Sequence, residues 1–153
     1  MLNVVRHAGR LVEIRFSGSP TVADVLRFNE ACRACIGTTT TETKQRAILC
    51  TDLRATMLFR PDVGDHLLDL MRGENRHVER NAFLGNGSAL FSLQLERLVK
   101  QASGPGRRRV FAEPAALYGW IDGVLNEPER ARLRAFLSDP GVVRRSSSRT
   151  DVA

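Results

Sequence analysis

Two stretches near the start of the chain, Leu2–Arg6 and Leu11–Phe16, alternate apolar and polar residues around His7-Ala8-Gly9-Arg10. A period of two belongs to a strand with one buried face. The pair therefore predicts a hairpin with Val12, Ile14 and Phe16 on its inner side. Ser17-Gly18-Ser19-Pro20 ends it. The period then changes. Thr21 is a suitable N-cap, and Val22, Val25, Phe28 (or Leu26), Cys32, Cys35 and Ile36 recur at helical spacing, which predicts a helix over Val22–Ile36. Gly37 is expected to stop that helix, and Thr38–Lys44, with its four consecutive threonines, to form a polar loop.

The short run Ala47-Ile48-Leu49-Cys50 is apolar at every position. A strand of this kind is buried on both faces, as in a parallel sheet. Pro61 opens a helix expected over Asp62–Arg72, with Val63, Leu67, Leu70 and Met71 inward. Ala82-Phe83-Leu84 predicts another strand. Gly85-Asn86-Gly87 turns the chain, and Ser88 caps a helix to about Ala102 whose apolar face is Phe91, Leu95, Leu98 and Ala102, with Leu90 beside it. Ser103-Gly104-Pro105-Gly106 breaks this helix, and Arg109-Val110-Phe111 is a last, edge-like strand. Pro114 starts a helix through Leu117, Trp120, Ile121 and Val124. Asn126 with Pro128 caps a final one that buries Leu133, Phe136 and Leu137.

The resulting order, β-β-α-β-α-β-α-β-α-α, implies an α/β fold. Its sheet is mixed and mainly parallel, with an N-terminal antiparallel hairpin, right-handed crossovers and flanking helices. Residues 1–138 are expected to form a single domain, and 139–153 a disordered, basic, Ser-rich tail without periodicity. The run Arg144-Arg145-Ser146-Ser147-Ser148-Arg149 in that tail has the form of a basophilic kinase site.

Composition narrows the function classes. A chain of 153 residues with 42% hydrophobic content is long enough to bury its own core without a metal or disulfide. Three cysteines, an odd number, fit a reducing compartment. No apolar run reaches the length of a membrane span, and the start lacks the pattern of a secretion signal, so a cytoplasmic location is expected. The net charge of +6 is almost all arginine, which raises nucleic acid as a partner. Its spread along the chain, clustered only at Arg107-Arg108-Arg109, makes that reading secondary.

Candidate chemistry is sparse. Cys32-Arg33-Ala34-Cys35 is a CxxC, but it falls on the apolar face of a helix, where core packing is the favoured role. His7, His66 and His77 show no ligand spacing. Gly85-Asn86-Gly87-Ser88 lacks the Lys-Ser/Thr of a phosphate-binding P-loop. Neither a catalytic residue, nor a metal site, nor a cofactor is expected.

Three stretches carry a family resemblance: Ile48-Leu49-Cys50-Thr51-Asp52-Leu53-Arg54, Arg80–Leu84 leading into Leu93–Leu98, and Arg109-Val110-Phe111 followed by Trp120-Ile121 and Glu129–Leu133. In order and spacing they resemble the STAS/SpoIIAA-like family of small bacterial regulatory domains. The resemblance implies a non-enzymatic, partner-binding domain that contacts a protein partner, or a second copy of itself, at the end of the sheet. Carried onto this chain, the expected contact residues are Asp52, Arg54, Thr56, Phe59, Arg60 and Asp62. Phe59 is expected to face the partner and Leu58 to cap the core. Arg54 and Arg60 are expected to matter for binding more than for stability. Anti-sigma factor antagonists of the family carry a phosphorylatable Ser or Thr at the start of the next helix. Phe59-Arg60-Pro61-Asp62 has none there; Asp62 offers a fixed carboxylate instead, which also suits a helix N-terminus. The alternatives are a small lipid or acyl carrier, as in Sec14-type relatives, and an arginine-driven nucleic-acid binder.

Overall fold

The computed structural model describes residues 1–102, 104 and 106–139. The tail from residue 140, including Ser146–Ser148, lies outside the described residues, as do Ser103 and Pro105 of the predicted helix breaker.

Five strands form one sheet: β1 (Leu2–Ala8), β2 (Leu11–Gly18), β3 (Ala47–Thr56), β4 (Val78–Leu84) and β5 (Arg108–Phe111). They lie side by side in chain order. β1 and β2 pair antiparallel, with Val4 opposite Ile14, and all later neighbours are parallel. The α/β class, the mixed sheet and the hairpin agree with the sequence pattern. α1 (Val22–Thr43), α2 (Pro61–Glu74) and α3 (Ala89–Gln101) are the crossovers between successive parallel neighbours. Crossovers of one hand between adjacent strands put their helices on one face. There Val12, Ile14, Phe16, Leu49 and Leu53 meet Val25, Val63, Leu67 and Phe91 in a first core. α4 (Pro114–Ile121) and α5 (Glu127–Ser138) cover the other face, where Leu11, Ile48, Cys50, Ala82 and Leu84 meet Leu117, Ile121, Leu133 and Phe136. The uninterrupted apolar run at Ala47–Cys50 thus serves two cores at once.

Two boundaries differ most from the pattern, while β4 begins earlier than expected, at Val78, and α4 ends earlier, at Ile121. Gly37 does not stop α1, and the threonine-rich stretch is helix rather than loop. The hydroxyl of Thr39 donates to the Cys35 carbonyl at 2.7 Å, and that of Thr43 to the Thr39 carbonyl at 2.7 Å. Back-bonding of this kind satisfies threonine inside a helix, where its β-branched side chain is otherwise a poor fit. The actual stop is Lys44, which takes the left-handed conformation at φ 59° and donates its N–H to the Thr40 carbonyl. β3 likewise runs on to Thr56, six residues past the apolar run. The strand holds there because β2 continues beside it to Thr56, while β4 accompanies it as far as Asp52.

The β1–β2 turn is fixed from a distance. Gly9 sits at φ 52°, and a Cβ there would lie 2.3 Å from Glu129 Oε2. Glu129 is buried in the first turn of α5. One of its carboxylate oxygens accepts from the Asn126 N–H at 2.8 Å and the other from the Arg10 N–H at 2.7 Å. It therefore closes the capping box of α5 and pins the hairpin turn. Arg10 adds a donation to the Val124 carbonyl at 2.8 Å and a pair with Glu79 at 3.1 Å.

Candidate functional site

The C-terminal ends of the parallel strands form one rim of the molecule, where β3 hands over to α2 through Met57–Arg60. That loop is held at both ends. Met57 donates its N–H to the Gly18 carbonyl at 3.1 Å. Asn86, in the β4–α3 turn, donates to the Thr56 carbonyl at 2.7 Å. Gln94 of α3 grips the backbone of Phe59 twice, accepting from its N–H at 2.9 Å and donating to its carbonyl at 2.7 Å. This grip turns the Phe59 ring inward, edge-on to Phe91 with centroids 5.4 Å apart and to Phe16 at 6.2 Å. Adjacent residues in an extended segment point opposite ways, so the inward ring sends its neighbour out. Met57 is 64% and Leu58 43% exposed. Leu90 and Leu93 on the first turns of α3 are 61% and 66% exposed. Leu90 stands one turn before both Leu93 and Gln94, so the two leucines share the side of α3 from which Gln94 holds the loop.

Behind the rim, on the face covered by α5, Asp52 is a buried charged hub. Arg54 donates to its carboxylate through the backbone N–H at 3.1 Å, Nε at 2.9 Å and Nη2 at 3.0 Å. Arg15 adds Nε at 3.0 Å. Both arginines then reach the C-terminal end of α5. Arg15 Nη2 donates to the Phe136 carbonyl at 2.5 Å and Arg54 Nη2 to that of Leu137 at 3.0 Å, with the Arg15 guanidinium over the Phe136 ring. Cations at a helix C-terminus complement its dipole. Burial pushes the Asp52 carboxyl up, but the hydrogen bonds and charge of Arg54, with help from Arg15, outweigh it and hold the group below its ordinary range. Asp52 in turn keeps Arg54 more firmly protonated than usual. Nearby, Arg132 of α5 pairs with buried Glu13 at 2.7 Å.

The six predicted contact residues thus divide. Arg60 and Asp62 are exposed and pair with each other at 3.5 Å. Asp52, Thr56 and Phe59 are buried and offer no contact surface as they stand. Phe59 is buried and Leu58 exposed, the reverse of the orientations expected of them, because Gln94 fixes which way the loop faces. Arg54 is a tie between sheet and α5 rather than a free surface cation. The Thr56 hydroxyl is buried without a hydrogen-bond partner among the described residues. Sequence reasoning missed Leu93 as a surface residue and left Leu90 merely beside the core stripe. Their signal is spacing: they stand three apart, off the Phe91–Leu95–Leu98 face.

The cysteines are free. Cys32 packs in one core and Cys50 in the other, while Cys35 is half-buried. Burial, reinforced by Cys35 and Glu74, pushes the Cys32 thiol up to about 12. Burial also raises Cys50 and Cys35. Thiols held protonated are poor nucleophiles and poor ligands. Among the described residues no group of three or more His, Cys, Asp or Glu is placed to hold a metal ion. Trp120 is partly buried against the second core, beneath the guanidinium of Arg80. No helix among the described residues is long and apolar enough to cross a membrane.

No protein-family model matches this sequence, and neither does any curated protein. Among solved structures, the chain is similar to an uncharacterized protein of the DUF3478 family from Shewanella loihica PV-4, described as having a SpoIIAA-like fold. The two share a TM-score of 0.57 at 14% identity, over 79% of this chain and 92% of that one. The chain therefore has the STAS/SpoIIAA-like fold expected from its motifs.

Proposed function

We propose that this chain is a non-enzymatic regulatory domain of the cytoplasm that docks a protein partner through the rim around Met57, Leu58, Leu90 and Leu93. One observation carries the reading: a loop fixed by four hydrogen bonds to its neighbours, those to Thr56 and Gly18 with the two from Gln94, still turns two apolar side chains to solvent. A loop held this firmly has no need of them for folding, and apolar groups that a fixed backbone presents to water are characteristic of interaction surfaces. Arg60 and Asp62 supply a polar border.

The two alternatives receive less support. The cavity between the sheet and α1–α3 measures about 60 Å³, far from the roughly 300–1,000 Å³ of ligand pockets, so an acyl chain of lipid length requires the core to open. Many arginines are engaged internally: Arg6 with Glu42, Arg10 with Glu79, Arg132 with Glu13 and Arg134 with Asp122. Such pairing dilutes the positive field a nucleic acid requires.

The test is affinity capture by the tagged chain from its native cells, followed by titration with the captured partner. Met57→Glu and Leu93→Glu are each expected to weaken the complex at least about tenfold. Their melting temperatures should stay near that of the parent, since both side chains face water. A partner that binds both variants as tightly as the parent would place docking elsewhere.

A further inference from the structure

The cavity under α1–α3 has an unusual wall. Its lining is apolar nearly throughout, with Ile36, Leu49, Leu70 and Val99 among the contributors, yet Arg108 is part of it. Arg108 opens β5 and is 5% exposed. Its Nη2 donates to the Met71 carbonyl at 2.8 Å, and Nη1 donates to the Asn75 side-chain oxygen. Both acceptors are neutral. Its Nε is buried and has no partner among the described residues. Among the described residues, the neighbouring charge that perturbs it is another cation, Arg107. Glu74 also lines the cavity, but it faces Arg33, with Nε 4.0 Å from its carboxylate.

A guanidinium taken out of water without an anion is a costly arrangement, and buried arginines are ordinarily paired. Burial lowers the pKa of Arg108 to about 10, so at neutral pH it stays protonated. The charge thus persists next to empty apolar space. A ligand suited to both features carries one negative charge and a short hydrocarbon end. Its carboxylate gives Arg108 a charge-assisted hydrogen bond, and its aliphatic part displaces nothing but void or loosely held water. We propose that this cavity binds a short-chain aliphatic monocarboxylate, anchored by Arg108. Arg108 anchors the end of the cavity away from the docking rim, while the cavity's far wall includes the buried ring of Phe59 from the rim loop; the docking residues Met57, Leu58, Leu90 and Leu93 are not part of its lining.

The full chain, labelled for NMR, is titrated with acetate, propionate, butyrate and butyramide, following the backbone amides of Met71, Asn75 and Arg108. Butyrate is expected to give saturable shifts at these positions. Affinity should rise roughly fourfold per methylene from acetate to butyrate, as burial of each CH2 dictates. Butyramide, of the same shape without the charge, should bind at least about tenfold more weakly. Arg108→Met should abolish the preference for butyrate over butyramide. Absence of saturable shifts with butyrate overturns the proposal, as does butyramide binding as tightly as butyrate. Acetate matching butyrate would show an ion at Arg108 without use of the cavity, and equally rejects it. If Arg108→Met does not fold, the charge and chain-length comparisons on the parent protein decide alone.

Discussion

Asp52→Asn is expected to destabilise the protein by about 3–5 kcal/mol, the loss typical of removing one member of a buried, hydrogen-bonded ion pair. The substitution keeps the size but removes the charge and turns one acceptor oxygen into an NH2 that faces two arginine donors in either orientation. Without the charge, Arg15 and Arg54 remain part-buried with no anion between them, and their hold on the Phe136 and Leu137 carbonyls slackens. Both are linked through a single carboxylate. Urea unfolding at neutral pH measures the loss, and a change under about 1 kcal/mol would show that α5 is anchored by its apolar face alone. The same carboxylate sets a pH signature. Its folded pKa lies below the ordinary 3.8, so its stabilisation is fully present above that value and is lost as pH falls through the lower folded one. Asp52→Asn should remove that segment of the acid-unfolding curve while leaving the rest.

Gly9→Ala should cost about 2–5 kcal/mol, combining left-handed backbone strain with displacement of a buried acceptor. The added Cβ would sit 2.3 Å from Glu129 Oε2, and the carboxylate cannot withdraw without releasing the Arg10 or Asn126 N–H. In a chain of this size the fall in melting temperature is roughly 5–15 °C. Gly18→Ala is the control: at φ 75° it has a similar backbone demand, but among the described residues nothing lies within 4 Å of the added Cβ. Equal losses at the two positions would mean that Glu129 contributes nothing to holding the turn.

Where one physical rule governs a segment, the sequence reads well. Alternation placed β1 and β2, the all-apolar Ala47–Cys50 announced a strand buried on both faces, and Ser88 and Asn126 cap the helices they precede. Misreadings arise where a tertiary partner decides. Glycine and threonine are weak helix residues, yet α1 runs through Gly37 to Thr43, because buried Thr39 packs and the hydroxyls satisfy themselves locally. The candidate site suffers most. Met57, Leu58 and Phe59 are equally apolar, and the residue that decides which of them turns inward, Gln94, lies 35 positions away from Phe59. Arg54 in the same way looks like any loop arginine until the end of α5 arrives beside it.

The late return of α5 also orders events in time. Successive strands are laid down next to their predecessors, each crossover helix covering the first core as it forms, so a growing chain can assemble that layer piece by piece. The other face has no such escort. Leu11, Ile48, Cys50, Ala82 and Leu84 stay bare until α4 and α5 are synthesised, and the hairpin turn waits for Glu129, 119 residues downstream of Arg10. A ribosome-bound chain of this protein therefore passes through a stage with one finished side and one adhesive side. That is the stage at which a holding chaperone has most to do, and at which two nascent copies are most prone to stick together.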